Sequence, residues 1–316
     1  MYTNLIDGNK IAQRIKDEIV QQLNEIKTKF SLIPKVVSII VGENPATKVY
    51  VNTQCKICQE LGINIEILSL QSDITEKELE QRIEELNNDK NVNAIMLNLP
   101  LPQHLNPRKL QNKISSSKDI EGVTAENLGK LFYAETPPVV APCTALAVIE
   151  CLKETKIELK GKEVVIVGHS EIVGKPVLIL LLSSLFNSPT PTVCHIATKN
   201  LAEHTKNADV LIVAVGKPNL ITADMVKEGV VVIDVGINKV KILDENGKEV
   251  IDEKTGKPKT KIVGDVDFEN VSKKALFITP VPGGVGPVTS CILVKNLVNL
   301  IKLQLGLPVE GYKIFN

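Results

Sequence analysis

At 316 residues and 43% hydrophobic composition, the chain is long enough to bury two ordinary cores, and two domains are expected. Lys plus Arg and Asp plus Glu balance at 37 each, and aromatics make up only 3% with no Trp, which argues against a basic nucleic-acid groove lined by stacking rings and for a small-molecule enzyme. The longest oily run, Val177 to Phe186, is too short to span a bilayer and is broken by two serines, and the N-terminus lacks a signal-peptide core, so a cytoplasmic protein with no membrane partner is expected.

Strand-like and helix-like runs alternate along the whole chain, the pattern of βα units around a mostly parallel sheet. The spacing predicts a helix over 8–30, a strand over 35–41, a helix over 46–61, a strand over 63–70, a helix over 75–88 opened by the capping-box order Thr75-Glu-Lys-Glu78, and a strand over 93–97. Cys55-Lys-Ile-Cys58 has redox or metal spacing, but it falls inside a helical pattern with no second pair nearby. With the other four cysteines scattered, reduced thiols and no metal site are expected.

A second α/β set begins after Pro142-Cys-Thr144: a helix to about 153, a strand over 163–167, a helix over 173–186, and strands over 192–195, 210–214 and 230–235. Between 238 and 263, Glu245-Asn-Gly247 and Lys254-Thr-Gly256 among many charges predict an exposed hairpin excursion with no part in the chemistry. A last long helix is predicted over 287–305. The expected division is therefore 1–141 plus 287–316 for one domain and 142–286 for the other.

Two stretches carry the functional signal. Thr279-Pro-Val-Pro-Gly-Gly-Val-Gly-Pro-Val-Thr289 packs three prolines and three glycines into eleven residues, which neither a helix nor a central strand can continue. It lies between an apolar strand-like run and a helix start, where α/β proteins bind ligands, and its glycines let a flat ligand approach the backbone. Val164-Val-Ile-Val-Gly168-His169-Ser170-Glu-Ile172-Val173-Gly174 places glycines where a strand turns into a helix, a position that suits a pyrophosphate. Ser170 occupies the second position of the Gly-x-Gly-x-x-Gly pattern. The next strand ends at Cys194-His195-Ile196-Ala-Thr198 without the acidic residue that usually accepts from the ribose of NAD, while His169, Thr198 and Lys199 are available to a phosphate. The residues themselves leave NAD and NADP both open.

Taken together, these segments resemble the bifunctional methylenetetrahydrofolate dehydrogenase/methenyltetrahydrofolate cyclohydrolase family. The similarity runs nearly end to end, through Tyr50-Val, Glu60-Leu-Gly-Ile, Asn98-Leu-Pro-Leu-Pro102, Lys118-Asp-Ile-Glu-Gly122, Pro142-Cys-Thr144, the 167–176 turn, Asp234-Val-Gly-Ile-Asn238, Gly264-Asp-Val-Asp267 and the 280–287 loop. The resemblance implies two α/β domains with an interdomain cleft, the second Rossmann-like and NAD(P)-binding, usually in a homodimer joined through the nucleotide domains. It implies catalytic positions at Tyr50, Gln54, Asn98 and Glu121, with Tyr50, Leu99, Pro100, Glu121, Pro282, Gly283, Gly284 and Val285 at the tetrahydrofolate substrate. It implies cofactor contacts at Thr144, Gly168, His169, Ser170, Ile172, Val173, His195, Thr198, Ala214, Gly216, Gly236, Ile237, Gly284 and Thr289.

Several of these positions depart from the family's pattern. Gln54 stands where the family has the lysine that handles protons in the cyclohydrolase step, and an amide is no acid or base near neutral pH. Asn98 stands for the family's glutamine, and Glu121 for its aspartate. On the cofactor side, His169 replaces an arginine, whose fork suits a 2′-phosphate, and Ile196 replaces a serine. Lys56 is no substitute for the missing lysine, because two helical positions turn it about 200° away from Gln54. The expected function is hydride transfer from methylenetetrahydrofolate to NADP or NAD with weak or absent cyclohydrolase activity. The alternatives are a fully bifunctional enzyme of one-carbon metabolism and a paralogue that binds without turnover.

Overall fold

The apolar stripe Ile11, Ile15, Ile19, Leu23 and Ile26, all buried, winds helix α1 (Gly8–Phe30) onto its core. The computed structural model describes residues 5–133, 137–244, 247–252 and 256–315, without the side chains of 45, 46, 48 and 49. It divides into two units: one comprises 12–146 and 289–314, the other 1–11, 147–288 and 315–316. The first residues group with the second unit because Ile6 and Gly8 donate to the carbonyls of Ile278 and Gly283.

In the first unit, strand β1 (Lys35–Val41) buries six of its seven residues, as a β-branched run covered on both faces must. Helix α2 (Pro45–Glu60) leads to β2 (Asn64–Leu70), α3 (Glu76–Asn88) and β3 (Ala94–Leu97), and the parallel sheet has the order β2-β1-β3. Thr75 caps α3 with both bonds of the expected capping box. Two helices of this unit went unread in the sequence. Helix α4 (Pro107–Gln111) starts under an Asn106 cap with Pro107 in the first turn, and α5 (Ala125–Tyr133) is a short amphipathic segment. Helix α6 (Cys143–Glu154) leads out of this unit.

The second unit holds a five-stranded parallel sheet built from β4 (Glu163–Val167), β5 (Thr190–Cys194), β6 (Val210–Val213), β7 (Val231–Asp234) and β10 (Phe277–Ile278). The order is β10-β7-β6-β4-β5, so the chain leaves β4 toward one side, returns across it, and the order reverses between β4 and β6. That reversal is where open α/β sheets hold ligands. Helix α7 spans Gly174–Leu181, shorter than the apolar run suggests. Ser183 Oγ donates to the Leu180 carbonyl and the Ser184 amide donates to Ser188 Oγ, so both groups of the next helical bond are taken by serine hydroxyls. Helix α8 (Leu201–Lys206) follows β5 and α9 (Phe268–Val271) precedes β10, both likewise unread in the sequence.

Strands β8 (Asn238–Lys241) and β9 (Thr260–Val263) form the stem of the antiparallel excursion, as expected. Its Glu245, Asn246, Lys254 and Thr255 lie outside the described residues. The last helix, α10 (Val285–Gln304), begins two residues before Pro287, which its first turn tolerates. Among the described residues no helix is long and apolar enough to cross a membrane, and none of the six cysteines is in a disulfide or a metal-binding group.

Candidate functional site

On α2 the buried stripe runs Thr47, Val51, Gln54 and Cys58, at spacings of four, three and four. Gln54 therefore occupies a core position, 2% exposed, whereas Lys56 is exposed. Its Nε2 donates to the Met96 sulfur at 3.1 Å, on β3. Asn98, just past β3, is equally buried and donates from Nδ2 to Ser38 Oγ at 2.7 Å and the Ile39 carbonyl at 2.9 Å, both on β1. Gln54 Oε1 and Asn98 Oδ1 are left without a donor. Tyr50, one turn before Gln54, has its phenol within hydrogen-bonding reach of the Gln54 side chain. Burial, and then the charge of Glu121, push that phenol well above the ordinary tyrosine range, so it stays a proton donor.

Glu121 is presented by a loop whose shape its neighbours set. Asp119 accepts from the Gly122 and Thr124 amides at 2.9 and 2.8 Å and from Asn127 Nδ2 at 2.9 Å. Gly122 takes φ +68° with its α-carbon against the Ala141 backbone, 2.4 Å from where a Cβ would sit, so no larger residue fits. Asn296 on α10 ties down the carbonyls of Ile120 and Ala141, and Lys118 Nζ caps the end of α3 by donating to the carbonyls of Leu86 and Asp89. Burial foremost, with the Asp119 charge adding to it, pushes the Glu121 carboxyl up to about 8. Leu99 and Pro100 are exposed beside this cluster in sequence, and Thr47 Oγ1 holds the Leu99 carbonyl at 3.3 Å. Thr144 and Thr289 belong to this same unit.

The remaining predicted positions lie in the second unit. At the β4–α7 turn Gly168 has φ +112° and packs so closely on β6 that a Cβ would fall 2.2 Å from the Ala214 carbonyl oxygen. Only glycine permits that approach. His169, Ser170 and Ile172 are exposed above the turn, while Val173 is buried and opens the helix. Ser170 Oγ accepts from the Val173 amide at 3.2 Å, so the serine in the second glycine position shapes the turn. His195, at the end of β5, has its ring centroid 5.0 Å from that of His169, at an interplanar angle of 60°. Thr198 Oγ1 accepts from the His195 amide at 2.8 Å and closes the following turn.

Ala214 and Gly216 follow β6, Gly236 and Ile237 follow β7, and a Cβ at Gly216 would meet nothing within 4 Å, so the crevice is open there. Pro282, Gly283, Gly284 and Val285 form the loop into α10, where Gly284 lies against Gly8. Glycine turns, exposed backbone and an open crevice at the sheet's reversal point fit a dinucleotide. Sequence reasoning missed Ser38, Met96 and Asn296, whose partners are far away in the chain, and gave no role to Asp234 or Asp265.

Comparison with known proteins fits both units. The tetrahydrofolate dehydrogenase/cyclohydrolase catalytic-domain model matches residues 6–121, and that family's NAD(P)-binding-domain model matches 142–305. The bifunctional protein FolD of Nautilia profundicola is 46% identical over 298 residues, covering 94% of this chain and 97% of the relative. Among solved structures, the bifunctional FolD enzyme of Campylobacter jejuni superposes with a TM-score of 0.85 at 42% identity over 95% of this chain and 99% of that one. The Trypanosoma brucei dehydrogenase-cyclohydrolase, solved with NADP and an inhibitor, gives a TM-score of 0.85 at 32% identity over 95% and 98%. A glycine turn at the reversal point of a parallel sheet in one unit and a second parallel sheet in the other, with both domain models matched, are this chain's version of a known pair of domains, and the chain belongs to the tetrahydrofolate dehydrogenase/cyclohydrolase family.

Proposed function

We propose that the protein is an NAD(P)-dependent methylenetetrahydrofolate dehydrogenase whose cyclohydrolase step is weak. In the dehydrogenase step a C–H bond of the methylene bridge breaks with its electron pair, and the carbon is left as the methenyl cation. The nicotinamide supplies the hydride acceptor, held by the NAD(P)-binding domain, for which we propose the bounds 142–286. The folate belongs to the catalytic domain, for which we propose the bounds 1–141 plus 287–316, with Tyr50 and Glu121 orienting its ring. Such a step depends mainly on positioning and needs no side chain to move a proton.

Opening the methenyl ring is different, because a water must be activated and a proton moved. The observation that carries the proposal is Gln54, a fully buried carboxamide with no ionisable form near neutral pH. The alternative is full bifunctionality. It is favoured by the Nautilia and Campylobacter relatives, which are named bifunctional, and by Glu121, whose carboxyl, pushed up to about 8, has the affinity of a proton-transfer group. Assaying NAD(P)H formation from methylenetetrahydrofolate beside the decay of methenyltetrahydrofolate decides between them: comparable rates of both steps establish the alternative. We also expect a homodimer through the second unit, since β5 is a sheet edge and Leu185 and Phe186 nearby are 89% and 76% exposed. Sedimentation of a monomer at micromolar concentration removes that expectation.

A further inference from the structure

Behind the crevice of the second unit lie two buried carboxylates. Asp265 is fully buried, and its Oδ2 accepts from the amides of Val215 at 2.7 Å and Gly216 at 2.9 Å, while its Oδ1 accepts from Asn238 Nδ2 at 2.7 Å. Asp234, 3% exposed, accepts at Oδ1 from the amides of Gly236 at 2.9 Å and Asp265 at 3.0 Å, and at Oδ2 from that of Val266 at 2.9 Å. The Asp234 amide in turn donates to Thr279 Oγ1 at 2.8 Å, at the start of the 279–289 loop. All these donors are neutral. Burial and the neighbouring Asp265 push the Asp234 carboxyl up, the three amides pull it back, and the result is about 6.

Burying two carboxylates side by side without a cation is a costly way to stabilise a fold. What the pair does is local: it fixes the backbone of the two connections that leave the sheet at its carboxyl edge after β6 and β7, and of the 265–266 segment that leads into α9. The fit is tight, since a Cβ on Gly236 would fall 2.3 Å from the Asp265 carboxylate and one on Gly264 1.8 Å from Asp234 Oδ2. The Val215–Gly216 turn follows β6, one of the two strands flanking the reversal point. Without Asp265 its two amides lose their acceptor.

We infer that Asp265 is a positioning residue for the cofactor, holding the Val215–Gly216 turn in the form that receives the dinucleotide, with Asp234 and Asn238 fixing Asp265 in turn. The inference rests on the reading of this unit as the NAD(P) site.

The test is calorimetric titration of NADP and NAD into the wild-type protein and the Asp265→Ala and Asp265→Asn variants, with the Km for methylenetetrahydrofolate measured in parallel. Asp265→Ala is expected to weaken dinucleotide binding by about ten- to a hundredfold, the loss of two bonds to a buried carboxylate that hold an otherwise exposed turn in shape. Asp265→Asn is expected to stay within about threefold, because its amide oxygen serves Val215 and Gly216 while Asn238, turned over, accepts from the new Nδ2. The folate Km should not move. Wild-type affinity in Asp265→Ala, equal losses in both variants, or a parallel loss on the folate side would each overturn the inference. Should Asp265→Ala not fold, Asp265→Ser is read in its place, since a hydroxyl on one carbon is too short to serve both amides. Failure of the wild-type protein to bind either dinucleotide would instead remove the underlying reading of the unit.

Discussion

The carboxamide of Gln54 donates to the sulfur of Met96 at 3.1 Å, a weak acceptor, while its own oxygen receives nothing. A buried acceptor left unpaired costs about 1–3 kcal/mol, so this contact marks a place where the fold is less stable than its shape allows. Gln54→Met, similar in volume and free of polar atoms, is expected to stabilise the protein by about 1 kcal/mol or more against urea. It should also leave the dehydrogenase rate within a few-fold, because hydride transfer asks no proton of residue 54. A destabilised variant would mean that Gln54 Oε1 has a donor that matters.

Restoring the family's lysine at that position should recover little hydrolysis by itself. Asn98 is tied to β1 by two bonds from its Nδ2, to Ser38 and Ile39, and is one methylene shorter than a glutamine, so its free oxygen cannot follow a new ammonium. The expectation is a larger cyclohydrolase rate for Gln54→Lys with Asn98→Gln than for Gln54→Lys alone, by about tenfold, against the hundred- to ten-thousandfold that a general acid–base group usually contributes. Equal rates for the single and double variants would show the two positions to be independent.

Glu121 sets a pH dependence that can be worked out in sign. Its carboxyl, pushed up to about 8 by burial and by Asp119, is protonated in the free protein near neutrality. If it binds the pterin's N–H donors as a carboxylate, protons compete with substrate, so the Km for methylenetetrahydrofolate should rise about tenfold per pH unit below 8 and level off above it. For stability the direction is opposite. The folded protein holds this proton more tightly than the unfolded chain, so the contribution is fully present below the ordinary 4.5 and is lost as pH rises through 8. Glu121→Gln should therefore flatten the Km profile and melt higher than wild type at pH 9; a pH-dependent Km in the variant would place the titration elsewhere.

What could be read in advance, and what could not, follows from the range of the interactions. Strand β4 and the capping box at Thr75 were legible because they are made by neighbours in sequence. Gln54 was legible as a departure from a pattern, but its orphaned oxygen was not, since that depends on Met96 lying 42 residues away. Asp265 reaches 49 and 50 residues back to Gly216 and Val215, and no spacing rule announces such a bond. Helix α7 ended early for a local reason that was on view, two serines, yet the strength of the apolar run concealed it.

The choice between NADP and NAD should be a weak one. A 2′-phosphate draws affinity from charge-assisted, preferably forked hydrogen bonds, and at the exposed edge of the β4–α7 turn this chain offers His169, with His195 against it at 5.0 Å between ring centroids. Neither imidazole is a fork. The neighbouring Ile196 is fully exposed and has no hydrogen bond to give, and the other donors, the Thr198 hydroxyl, whose oxygen accepts from the His195 amide, and the Lys199 ammonium, are no forks. An NAD site is no better served, for the described end of β5 carries no carboxylate to accept from a ribose hydroxyl. The kcat/Km ratio for the two cofactors in the wild-type protein is expected to lie within about tenfold of unity. His169→Arg should raise the NADP value by about ten- to a hundredfold and leave NAD nearly unchanged, because a guanidinium reaches the phosphate in two places and gains nothing from a hydroxyl there. A wild-type preference of about a thousandfold for either cofactor, or an arginine variant that gains equally with both, would show that the discrimination is made by residues other than this histidine pair.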